Sequence, residues 1–161
     1  MMMVYLQVLL LIMAANGAPI IGRRLLKGRW STPLDGGVTF KDGRPLLGKS
    51  KTYRGVAFSL VGTILAADVV GMPWDIGLMV GSLAMTGDCL SSFLKRRLGY
   101  DSGAMALGLD QIPESLLPLL GVWGPLSLSA MGILATVGAF MVLELIFSRL
   151  LYKLHIRKHP Y

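Results

Sequence analysis

Apolar residues fall into five runs, separated by stretches in which charge, glycine and proline collect. The first extends from Val4 to Ile21 and is interrupted only by Gln7, Asn16 and small residues. The second covers Val56 to Val70, with Asp68 close to its rim. The third covers Ile76 to about Thr86. The fourth covers Leu116 to about Leu126, with Pro113, Pro118 and Pro125 inside or beside it. The fifth, from Leu128 to Leu151, contains Glu144 and Arg149. A helix needs about 20 residues to cross the hydrocarbon core of a bilayer. Runs one and five meet that length. Runs two and three meet it with flanking residues, and run four by recruiting Ile112 to Trp123 and more. Prolines are tolerated in membrane helices where neighbours re-satisfy the freed backbone. The pattern predicts an all-α integral membrane protein with five transmembrane helices.

Composition agrees with this reading. Of 161 residues, 53% are hydrophobic and 16% charged, and mean hydropathy is +0.61. An average soluble domain carries about 25% charged residues, so this chain is too poor in charge to cover a free globular surface. The same numbers exclude a disordered chain. A single cysteine, Cys89, excludes a disulfide scaffold. The chain is expected to form one transmembrane domain over residues 1–161.

Charge placement predicts the topology. Nine cations lie between Arg23 and Arg54, three at Lys95, Arg96 and Arg97, and four in the tail at Arg149, Lys153, Arg157 and Lys158, which accounts for all 16 Lys and Arg. The short connections Met72–Asp75 and Gly124–Ser127 hold none. Lys and Arg mark cytoplasmic segments. Five spans put every cation on one side: the N-terminus outside, the C-terminus cytoplasmic, and cytoplasmic loops at about 22–55 and 88–112. The protein is therefore expected as a multi-pass protein of the cell membrane. Met1 to Met3 supply no charged region of the kind a signal peptide carries, so the first run reads as an uncleaved helix.

The net charge of +7 is concentrated in the first loop, where nine cations face Asp35 and Asp42. Attraction to anionic lipid explains part of this bias, and a phosphate site is the sharper reading. Nucleic acid is not expected, because the loop has few aromatics (Trp30, Phe40, Tyr53) and is tethered to the bilayer. Gly36-Gly37 and Asp42-Gly43 are turn signals, and the apolar stretches around the second predict a small hairpin with its tip near Asp42-Gly43. Gly43 to Ser50 fits the P-loop pattern letter for letter. That pattern has mechanical meaning only between a buried strand and a helix, which a loop of this length between two spans cannot build. Clustered lysines, hydroxyls and glycines can still hold phosphates.

A second cluster begins at Gly87-Asp88. Asp88 ends an apolar run at the membrane boundary, where a charge is costly and marks a site. Asp88, Ser91 or Ser92, and Lys95 share one helical face. Asp110 reopens the apolar phase beyond the basic segment. Two carboxylates at one rim suit Mg²⁺, which takes one or two carboxylates plus substrate phosphates. The plainer alternative is that Asp88 and Asp110 only pair with Lys95, Arg96 or Arg97. Cys89 reads as a small buried apolar residue. His155 and His159 have no third ligand nearby and read as interfacial.

These residues, in this order, resemble the CDP-archaeol synthase family: Asn16 to Pro19; Gly48-Lys49-Ser50-Lys51-Thr52-Tyr53-Arg54-Gly55; Gly87-Asp88 with Ser92, Lys95, Arg96 and Arg97; Asp110-Gln111; and the closing Lys158 to Tyr161. The series is also similar to that of CDP-diacylglycerol synthases. The His-Gly-Gly element of that branch is absent, and Leu109-Asp110-Gln111 stands in its region. Pro113-Glu114 after Asp110-Gln111 departs from the family pattern. The resemblance implies a five-helix, Mg²⁺-dependent membrane enzyme in which a lipid phosphate attacks the α-phosphorus of CTP, giving CDP-lipid and pyrophosphate. It implies Asp88 and Asp110 as Mg²⁺ ligands and Lys95 beside them as catalytic. It implies Lys49, Lys51, Thr52 and Arg54 for the triphosphate, and Ser92, Lys95 and Arg96 for the lipid phosphate or the α-phosphate. Asn16 either reaches the site or makes a helix–helix hydrogen bond. The implied partners are CTP, a lipid phosphate within the bilayer and the membrane itself, with a homodimer left open. Two alternatives stand beside this: the same chemistry on phosphatidic acid, or a non-enzymatic transport or lipid-binding module whose pathway charges are Asp68 and Glu144.

Overall fold

The computed structural model describes residues 2–153; the tail with His155, Arg157, Lys158, His159, Pro160 and Tyr161 lies outside them. The described residues form five helices: α1 (Met2–Leu25), α2 (Tyr53–Val69), α3 (Trp74–Arg97), α4 (Gln111–Gly121) and α5 (Ala130–Lys153). Apart from two isolated antiparallel bridges, Pro33 with Thr52 and Thr39 with Pro45, they contain no strand pairing. By length and composition, α1, α3 and α5 can each cross a membrane.

Helices α2 and α3 pack through small residues. Ser59, Thr63 and Ala67 recur every four positions on the buried face of α2. They face Gly77 and Gly81 of α3, where an added Cβ would collide with Thr63 and Ala67. Small side chains at this spacing let helix backbones approach closely, which is how helices associate where lipid is as apolar as the protein. The core is completed by Val8, Leu11 and Ile12 of α1, Ile76 and Val80 of α3, Leu119 of α4 and Phe140 of α5.

Two polar ties define one end of the bundle. Gln7 Nε2 donates to the Val70 carbonyl at 2.7 Å, joining the start of α1 to the end of α2. Tyr5 Oη accepts from the Ser129 amide at 2.7 Å, joining it to the start of α5. The basic loops and the end of α3 lie at the opposite end.

Two expectations need correction. The third apolar run ends near Thr86, but the helix continues to Arg97, so residues 88–97 are not loop. Once a helix is nucleated each further residue adds a hydrogen bond, and Leu90, Leu94 and Leu98 keep an exposed apolar stripe along it. The fourth helix has only 11 residues. At 1.5 Å per residue that is about 16 Å, roughly half the hydrocarbon thickness. It stops where Gly121 meets Leu83, near the middle of α3. A series of turns then carries the chain on to Ser129.

The predicted hairpin is present. Phe40 donates to the Arg44 carbonyl at 2.8 Å and Leu46 to Val38 at 2.9 Å. It docks on the end of α3: Arg97 Nε pairs with Asp42 at 3.1 Å, and its guanidinium lies 4.7 Å from the Phe40 ring centre and 4.9 Å from that of Phe93. Arg44 Nη1 donates to the carbonyls of Arg96 and Arg97 at 3.2 and 2.7 Å, satisfying groups that a helix end leaves open.

Candidate active site

The P-loop-like segment is organised by a carboxylate of its own. Asp35 accepts from the amides of Gly48 at 2.8 Å, Leu47 at 2.9 Å and Gly37 at 3.0 Å. Burial pushes its pKa up, but these amides outweigh it and hold the carboxyl below its ordinary value. The amides that would cradle a phosphate in a true P-loop are thus occupied. What the loop presents instead is Lys51.

Lys51 donates to Asp88 on α3 and forms an ion pair with it. Burial alone would lower the lysine pKa; the charges of Asp88 and, more weakly, Glu114 more than offset this and hold it above its ordinary value. The pair lines a cleft whose walls are Pro19, Leu34, Val56 and Met85 on the apolar side and Ser50, Thr52 and Cys89 beside the charges.

A second pair lies further along α3. Lys95 Nζ contacts Asp110 Oδ1 at 2.6 Å and donates to the Ala104 carbonyl at 2.8 Å. Asp110 Oδ2 accepts from the Ala106 amide at 2.9 Å. Lys95 is also close enough to Asp88 to attract it. The two pairs form a ladder between antiparallel α3 and α4. Asp88 faces Glu114, and Lys95, two turns on, faces Asp110, one turn back.

Gly87 makes the ladder possible. A Cβ there would strike the Pro113 carbonyl and sit 2.8 Å from the Glu114 nitrogen. Only a residue without a side chain allows the backbones this close. Pro113 is tolerated because it lies in the first turn of α4, where the amide it lacks has no partner within the helix. Glu114 follows, buried, with its carboxyl beside that of Asp88.

The remaining candidates are distributed unevenly. Ser92 is buried one turn beyond Asp88 on the same face. Arg96 is buried and donates to the Asp101 carbonyl at 2.6 Å, while its Nε and Nη1 have no hydrogen-bond partner. Lys49 is exposed next to the cleft. Three others have structural bonds, and of these only Thr52 also lines the cleft. Thr52 caps α2 by accepting from the Gly55 amide at 3.1 Å. Arg54 turns away to the Arg29 carbonyl at 2.7 Å. Asn16 donates to the Ile12 carbonyl of its own helix at 3.2 Å, neither at the cleft nor across to another helix. Glu114 was missed; its signal in the sequence was a charge four residues after Asp110, hence on the same face of α4.

A hard divalent cation finds suitable donors here. Among the described residues no three His, Cys, Asp or Glu side chains converge as a cage. Asp88 and Glu114 do bring two carboxyls into contact, the number that Mg²⁺ uses when substrate phosphates complete its shell.

Comparison with known proteins agrees with this architecture. The CarS-like CDP-archaeol synthase family matches residues 1–77 and 71–161. A CDP-archaeol synthase of Hyperthermus butylicus is 45% identical over 106 residues, 62% of this chain and 60% of that one. That of Sulfurisphaera tokodaii is 36% identical over 81% of this chain and 82% of its own. That of Pyrobaculum calidifontis is 32% identical over 91% and 90%. A solved structure of an intramembrane enzyme for archaeal membrane lipid biosynthesis superposes with a TM-score of 0.70 at 30% identity, covering 87% of this chain and 89% of that one. The chain belongs to the CDP-archaeol synthase family, cytidylyltransferases of the membrane.

Proposed function

We propose that this chain transfers a cytidylyl group from CTP to an isoprenoid ether-lipid phosphate at the Lys51–Asp88 cleft, on the cytoplasmic side of the cell membrane. A phosphate oxygen of the lipid forms a bond to the α-phosphorus, and the bond to the β-phosphate oxygen breaks, releasing pyrophosphate. The lipid supplies the nucleophile, so no covalent enzyme intermediate is needed. The task left to the protein is to bring two anions together and stabilise the charge that leaves.

Lys51 and Lys49 bind the triphosphate, with Lys51 exchanging its contact with Asp88 for phosphate oxygens. Lys95 and Arg96 hold the lipid phosphate or the α-phosphate, and Ser92 packs beneath them. Asp88 and Asp110 would hold Mg²⁺, which supplies Lewis-acid stabilisation of the phosphates. Thr52 caps α2 and offers its hydroxyl proton to the triphosphate at the cleft wall, while Arg54 and Asn16 serve the scaffold. The five helices form the membrane body, with α4 and the turns after it together completing the fourth crossing. All described cations then lie on the cytoplasmic side, as positive-inside bias requires.

The observation that carries this reading is the meeting of Lys51, from a basic loop, with Asp88 on α3 at an open cleft. The test is incubation of the purified protein with labelled CTP, Mg²⁺ and either an isoprenoid ether-lipid phosphate or phosphatidic acid. CDP-lipid is expected mainly from the ether lipid. Predominant CDP-diacylglycerol would overturn the lipid assignment, and no CDP-lipid from either would overturn the activity.

A further inference from the structure

We infer that Glu114 joins Asp88 as a ligand of the divalent cation in the cytidylyl-transfer site. This rests on the reading of Asp88 as a metal ligand and adds a residue to it.

Three observations carry the inference. First, the Glu114 carboxyl is 5% exposed and meets Asp88 directly. Buried carboxylates are rare unless paired or bound to metal. Here Lys51 is shared between both carboxyls, and Lys95 reaches only Asp88. Second, the contact is held by the backbone. The missing Cβ of Gly87 and the turn at Pro113 press the start of α4 onto α3, so the backbones that carry the two carboxyls cannot separate without moving a helix. Third, Glu144 of α5 adds its negative charge towards Glu114. Acidic side chains of α3, α4 and α5 thus act on one another here, a repulsion that a bound dication would relieve.

The competing explanation is that Glu114 only complements the positive end of α4. The structure does not favour it, because the Glu114 carboxyl meets a side chain of α3 rather than the open amides of its own helix. Asp110 joins Asp88 and Glu114 at the metal only once Lys95 turns from its Oδ1 to a phosphate, because its Oδ2 is held by the Ala106 amide.

The test measures Mn²⁺ binding by electron paramagnetic resonance on the purified full chain, with and without CTP and with no lipid acceptor. Glu114→Gln keeps the size of the side chain and offers a hydrogen-bond donor towards Asp88 but cannot supply an anionic oxygen. If Glu114 is a ligand, Mn²⁺ affinity falls by about 10- to 100-fold in Glu114→Gln, the range seen when a metal's supporting partners are lost. Glu114→Asp, which keeps the charge, recovers part of it. Thermal unfolding in the same detergent checks that Glu114→Gln remains folded. Wild-type affinity in Glu114→Gln, with affinity lost in Asp88→Asn, overturns the role of Glu114 while leaving the metal site in place. Wild-type affinity in Asp88→Asn overturns the metal site itself, and this inference with it.

Discussion

Lys95 on α3 contacts Asp110, the residue just before α4, at 2.6 Å, and both side chains are largely buried. Removing one partner of a buried ion pair leaves a bare charge and costs about 3–5 kcal/mol, whereas replacing both by apolar groups is often neutral. Asp110→Ala should therefore lower the thermal unfolding temperature in detergent, and the double substitution Lys95→Met with Asp110→Leu should restore most of it. Neither variant should make CDP-lipid. A double variant that recovers both stability and activity would show that the pair is only structural.

Asp88→Asn keeps the shape of the side chain and removes its charge. It should abolish CDP-lipid formation and lower the unfolding temperature, because Lys51 loses its charged partner, while the helices stay packed through Thr63, Ala67, Gly77 and Gly81. Turnover near that of the wild type at saturating Mg²⁺ would remove Asp88 from the mechanism.

Lys51 and Arg54 lie three residues apart and should behave differently. Lys51 lines the cleft, whereas Arg54 donates to the Arg29 carbonyl. Lys51→Met should raise the KM for CTP and depress kcat. Arg54→Met should leave the KM for CTP unchanged and cost about 1.5–3 kcal/mol of stability, the value of a hydrogen bond from a charged group. A large rise in that KM for Arg54→Met would place Arg54 at the triphosphate.

Asp35 ties the first loop to pH. Its folded pKa is held below the unfolded value of about 3.9 by the amides of Gly48, Gly37 and Leu47. Its contribution is thus complete above the unfolded value and is lost as pH falls through the folded value. Protection of the Leu47 and Gly48 amides from hydrogen exchange should be constant near neutral pH and fall below about pH 4. Asp35→Asn should show reduced protection at every pH and lack that acid step.

Topology is tested by reporter fusions. Fusions after Ser50, Leu98 and Tyr161 should all report the cytoplasm, and one at Pro125 the outside. A periplasmic-type signal at Leu98 would break the five-span arrangement.

Much of this protein is legible along the chain. Five apolar runs and one-sided cations follow from the cost of placing charge in hydrocarbon, which acts residue by residue and leaves its trace in linear order. Asp88, Lys95 and Asp110 are visible for the same reason: charged residues where an apolar phase breaks off. The hairpin at Asp42-Gly43 is readable because turn chemistry is local. Tertiary packing decided the rest. Thr52 and Arg54 carry the right chemistry for phosphate, but their bonds to Gly55 and Arg29 depend on how the loop returns to α2. The short α4 is set by where Gly121 meets Leu83, a contact no periodicity reports. Glu114 entered the site through a glycine 27 positions earlier in the chain, because backbone approach at Gly87 controls which carboxyls meet. Which groups carry charge is written in the order of residues. Which of those charges touch is set by the distance between helices, and that is a property of packing.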